Sequence, residues 1–173
     1  MKKSTWLGLG AVAIAVLAGR RRGDDHDVAG DAAVVTEDVE ALARVITSEA
    51  DRYSEAERIA IGWAVRNRAR KRGVSIARLV CWPNCGPCCK GRPFSSARPA
   101  SKVNMELARR VLAAPQSADP TDGATAFFEP KVQDWLVAAR REGYHYTSDK
   151  LREKWKREGQ RQLSTVGAFE FWA

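Results

Sequence analysis

The chain has 173 residues, the size of one domain with a short tail. Apolar residues make up 45% and charged residues 29%, which excludes a disordered or fibrous chain and leaves enough core to fold without disulfides or metal. Lys and Arg number 29 against 21 Asp and Glu, and a net charge of +8 suits an anionic partner: nucleic acid, an acidic membrane face or an anionic polymer.

Lys2 and Lys3 precede an apolar run from Trp6 to Ala18, followed by Arg20, Arg21 and Arg22. The run is shorter than the roughly 20 residues of a membrane-spanning helix. It fits the apolar region of a signal peptide, but the arginines beyond it resist export. Residues 1–22 are therefore expected to be a hydrophobic anchor or signal, or an apolar tail buried in an assembly. Residues 23–35 (GDDHDVAGDAAVV) read as a linker, with His26 solvated among aspartates.

The domain is expected over 36–173. Thr36 caps a helix to about Ala50, with Val39, Leu42 and Ile46 on one stripe. Ser54 and Glu57 form a capping box that opens a second helix, with Ile59, Ala60, Trp63 and Ala64 inward and an end near Gly73. Arg68, Arg70, Lys71 and Arg72 at that end complement the helix dipole. One or two helical turns follow over 75–80, then an irregular stretch over 81–98. A helix over 101–114 has Val103, Leu107 and Val111 inward, and residues 118–123 (ADPTDG) carry turn chemistry. A short strand is predicted over 124–128, helices over 131–142 and 149–161, and a closing strand over 165–172. The sum is an α+β fold, mainly helical, with a small hairpin or sheet.

Glu49 continues the Val39–Leu42–Ile46 stripe. A carboxylate at a core-facing position is partly desolvated, which raises its pKa toward that of a general acid. Glycosidic cleavage needs such an acid to protonate the leaving oxygen. A frayed, solvated helix end is the alternative reading. Phe94, Ser95, Thr125 and Phe127 supply the aromatics and small polar groups that a sugar groove needs.

Several segments, in order, resemble the spore-cortex-lytic (SleB-type) cell-wall hydrolases. Val45-Ile46-Thr47-Ser48-Glu49-Ala50 resembles the family's first helix, which ends in Glu-Ala, and Ile59 to Arg68 resembles its second, which ends in Asn-Arg. Arg92-Pro93-Phe94-Ser95 stands where the family has Gln-Phe-Ser. Residues 119–128 (DPTDGATAFF) resemble its Asp-Pro-Thr-x-Gly-Ala-x-x-Phe block, and 166–171 (VGAFEF) its terminal strand. The resemblance implies a lysozyme-like fold and cleavage of peptidoglycan between N-acetylmuramic acid and N-acetylglucosamine by lytic transglycosylation. It places the catalytic acid at Glu49 and implies no cofactor. The chain departs from the family in three places. Tyr53 replaces the second acid of Glu-Ala-x-Gly-Glu, Pro93 replaces the glutamine, and the terminal histidine is absent.

Cys81, Cys85, Cys88 and Cys89 lie within nine residues. Local disulfides, a zinc site and free thiols are all compatible with that spacing. The late chain mixes basic residues with Tyr144, Tyr146 and Trp155, a pattern shared by nucleic-acid surfaces and solvated charged helices. The expected partner is the glycan strand of peptidoglycan, with nucleic acid disfavoured. Membrane association through the N-terminus, or a place in a virus particle that breaches the wall, accompanies that expectation. A non-catalytic glycan-binding or structural protein is the alternative.

Overall fold

The computed structural model describes residues 28–80, 94, 98–141 and 143–173, and residues 28–35 by their backbone alone. The N-terminal segment 1–22, the four cysteines and Ser95 lie outside the described residues. Among the described residues the fold is α+β and mainly helical, with one three-stranded antiparallel sheet.

Helix α1 (Val28–Ala50) is the central element. Val39, Leu42 and Ile46 are buried as the stripe predicts, but so are Ala41, Ala43 and Val45 on other faces. The helix is enclosed because α2 (Glu55–Arg72), α3 (Ile76–Val80) and α4 (Lys102–Ala113) all pack on it. It begins at Val28, so the expected linker 23–35 is helical from that point. Ala29, Ala32 and Ala33 have the highest helix propensity, which suits a helix better than a linker.

Helix α2 opens with the expected capping box and closes at Gly73. It crosses α1 and α4 closely. A Cβ on Gly62 would lie 3.2 Å from Val111 and 3.3 Å from Ile46. In α4, Leu107 and Val111 face inward as predicted, but Val103 is 57% exposed. Asn104 takes the inward position, in register with Leu107, Ala108 and Val111. Its amide is fully bonded there, which removes the cost of burying it.

Strand β1 (Ala126–Phe128) pairs with β3 (Phe169–Trp172), and β2 (Gln162–Val166) lies on the other side of β3. The predicted single strand over 165–172 is therefore a hairpin, turning at Gly167–Ala168. Gly167 has φ +56°, and a Cβ there would overlap the Glu57 carboxylate. Between β1 and β2 stand α5 (Pro130–Ala138) and α6 (Ser148–Arg157), both shorter than predicted. The chain turns left-handed at Arg140 (φ 51°) after α5 and at Gly159 after α6.

Two apolar clusters result. The larger lies among α1–α4, and the smaller joins Ala50, Ala60, Ile61 and Ala64 to Phe169 and Phe171 of the sheet. The end of α1 meets both. Among the described residues, no helix is long and apolar enough to cross a membrane.

Candidate functional site

Glu49 lies in the last turn of α1, half-buried, and lines a groove of about 790 Å³. That volume is within the range of ligand clefts. Ser48, Asp51 and Tyr53 line it beside Glu49, and Phe94, Phe127 and Phe169 form an aromatic part. Leu136, Tyr144, Leu151 and Trp155 contribute from the α5–α6 side.

The turn that carries Glu49 is held by residues distant in sequence. The Arg98 amide donates to Ser48 Oγ at 3.1 Å, and its guanidinium donates to the Thr47 carbonyl at 2.9 Å and to Asp51 at 3.0 Å. Asn104 Nδ2 donates to Thr47 Oγ1 at 3.0 Å and to Asp51 Oδ1 at 3.2 Å, and Arg58 donates to Asn104 Oδ1 at 3.0 Å. The residues on both sides of Glu49 are thereby fixed to α2 and α4.

Asp51 and Glu129 also line the groove. Asp51 is bonded to Arg98 and Asn104. Glu129 caps α5, accepting from the Lys131 and Val132 amides. Arg52, which also lines the groove, donates to the Tyr53 hydroxyl at 3.2 Å, and this bond raises its guanidinium above the ordinary value. The groove thus keeps a fixed positive charge near its rim.

Phe94 stacks on Phe127 with centroids 5.6 Å apart and planes 12° from parallel. Phe127 meets Phe169 edge-on, and Phe169 meets Tyr53 at 4.7 Å. The Arg68 guanidinium sits 5.6 Å from the Phe94 ring, and burial lowers its pKa. Arg68 also donates to the Thr125 carbonyl at 3.3 Å. The structure thus brings Glu49, Phe94 and Phe127 to one groove. Thr125 is not among the lining residues. It is occupied through its backbone, its amide donating to the Trp172 carbonyl at 2.9 Å.

The Asp-Pro-Thr-Asp-Gly segment positions β1. Asp119 accepts from the amides of Thr121 and Gly123 at 2.8 and 2.9 Å and from the Thr121 hydroxyl at 2.7 Å. Asn67 of α2 donates to Asp119 Oδ2 at 2.7 Å and to the Ala124 carbonyl at 3.1 Å. Phe127 follows three residues later, so this clip sets where its ring stands.

A second contact secures the sheet. The Ala168 amide donates to Glu57 Oε1 at 2.8 Å, while the Ser54 amide and hydroxyl donate to Oε2 at 2.9 and 2.6 Å. These bonds, led by that from Ala168, hold the Glu57 carboxyl below the usual carboxylate range despite burial.

Sequence reasoning missed Arg98 and Asn104, which carry no local signal. Tyr144 and Trp155 were visible as aromatics among basic residues, but nothing local placed them on the groove. Among the described residues, no group of three metal-ligating side chains converges. In comparison with known proteins, the chain matches no family model, no curated protein and no solved structure.

Proposed function

We propose that the protein cleaves the glycan of peptidoglycan between N-acetylmuramic acid and N-acetylglucosamine, as a lytic transglycosylase with Glu49 as its acid. One observation carries this reading: Glu49 stands at the end of an enclosed helix and lines a groove with the stacked Phe94–Phe127 pair. Glu49 donates its proton to the glycosidic oxygen as the bond to C1 breaks. The muramyl O6 then bonds to C1, and its proton passes to Glu49, which restores the acid and leaves a 1,6-anhydro ring. No second carboxylate is required, because the substrate supplies the nucleophile. Asp51 and Glu129, which also line the groove, serve to hold its local structure. Phe94 and Phe127 offer apolar surface to the sugar faces, with Ser95 adjacent in sequence, and no cofactor takes part. The setting proposed is the cell envelope, or a virion that penetrates it.

A structural or glycan-binding protein without catalysis is the second reading, favoured by Tyr53 standing where the motif it resembles has an acid. The test is incubation of bacterial sacculi with the protein and with Glu49→Gln, with products analysed by mass. Anhydro-muropeptides from the parent, reduced by a factor of about 10² or more in the variant, are expected. Binding without products supports the second reading, and equal release by both proteins removes Glu49 from the mechanism.

A further inference from the structure

Three of the four exposed large hydrophobic residues among the described ones lie on the α5–α6 segment. They are Trp135 (58% exposed), Tyr144 (43%) and Tyr146 (42%). Two are accompanied by cations: Arg141 lies 6.0 Å from the Trp135 ring, and Lys154 lies 6.0 Å from that of Tyr146. Residues 130–161 hold nine Lys or Arg and five Asp or Glu, a net of +4 and half of the chain's +8. The segment is continuous with the groove, since Leu136, Tyr144 and Trp155 line it.

We infer that this exposed aromatic and cationic face extends the groove into a binding strip for a glycan strand that still carries its peptide stems. The inference rests on the glycan reading above. Exposed rings offer flat apolar faces that stack on sugar C–H surfaces, as they do in other ligand sites. The stems carry carboxylates, and Arg141 stands beside the Trp135 ring where one would hang; Lys154, beside Tyr146, would exchange its exposed pairing with Glu158 at 2.7 Å for another. A neutral polysaccharide would use the rings alone. Duplex DNA would use the cations and leave the rings idle, because its bases are stacked inward. The pairing of exposed ring with adjacent cation therefore favours a polymer with both sugar faces and pendant anions.

The test uses the full chain carrying Glu49→Gln, so that ligand is not consumed. Binding is measured to purified sacculi, to an uncharged N-acetylglucosamine oligomer and to duplex DNA. Trp135→Ala with Tyr144→Ala is expected to weaken binding to both glycans about tenfold, and the ring-retaining pair Trp135→Phe with Tyr144→Phe to restore most of it. Arg141→Gln with Lys154→Gln is expected to weaken binding to sacculi alone and to flatten its salt dependence. Unchanged sacculus affinity in the truncated variants overturns the strip, and if the parent still releases anhydro-muropeptides the glycan reading stands. Neither binding nor release overturns both. Loss of DNA binding in the cation variants, with sacculus binding intact, reassigns the face to nucleic acid.

Discussion

The Arg98 guanidinium donates to the Thr47 carbonyl at 2.9 Å, across 51 residues of sequence. That carbonyl belongs to the last turn of α1, where helical acceptors lack internal partners and where α1 has no basic residue of its own. Arg98 supplies the missing cap from outside, and with Asp51 and Ser48 it holds the turn that carries Glu49.

Replacing Arg98 by Ala is expected to lower stability by about 1 kcal/mol, since the side chain is half exposed and its ion pair is screened. Under the proposed function, turnover on sacculi should fall further than binding does, because the freed turn no longer fixes Glu49. Urea denaturation and initial rates measure the two effects. Arg98→Lys keeps the charge and loses the paired contacts, so it should recover stability better than turnover.

Glu57 gives the fold a dependence on acid. Its folded pKa is depressed, so its contribution is complete above the unfolded value of about 4.3 and disappears as pH falls through the folded value. The stability gap between the parent and Glu57→Gln should be widest at neutral pH and close in acid. Urea titrations from pH 7 downward measure it. A gap that stays constant to strongly acidic pH would exclude Glu57 from the acid response.

Gly167→Ala should destabilise by at least about 2 kcal/mol, because left-handed backbone and a collision with Glu57 act together. In a Glu57→Ala background the collision is gone, and the added cost should shrink to the backbone strain of about 1 kcal/mol. Thermal melts of the four proteins of this cycle give the coupling.

Asn67→Ala removes the donor that ties α2 to the Asp119 loop. A loss of about 1–2 kcal/mol is expected, since the buried Ala124 carbonyl loses its donor while Asp119 keeps the Thr121 and Gly123 amides. Asp119→Ala should cost a similar amount, and the double variant less than the sum, because both act on one clip. Near-ultraviolet circular dichroism should report the displaced Phe127 in each.

What could be read from the sequence was what depends on neighbours in the chain. The stripe that ends at Glu49 repeats within one helix, and the Ser54–Glu57 box spans four residues. The third partner of Glu57 is the Ala168 amide, 111 residues away, and no local pattern points to it. Val103 fits an apolar stripe as well as Asn104 fails to, yet Asn104 is inside because Thr47, Asp51 and Arg58 meet its amide there. The alternation over 165–172 hid a hairpin, since Gly167 and Ala168 look like strand residues until Glu57 is placed beside them. Of the groove, Glu49, Phe94 and Phe127 were legible by type, whereas the Arg98 clamp is a product of tertiary structure alone.

The two sides of the groove differ in how they are held. Helix α1 is enclosed by three others, whereas α5 buries no residue fully. Asp134 accepts from Ser148 and joins α5 to α6, and α6 meets the sheet through Trp155 against Phe128 and Trp172 and through Arg152 on Glu170. Amide hydrogens in the last turns of α1 should therefore exchange only when the whole domain unfolds, while those of α5 exchange through a cheaper local opening. A polymer lying in the groove would bridge the two. Its arrival should appear as slowed exchange along α5, with the amides around Glu49 already at their limit.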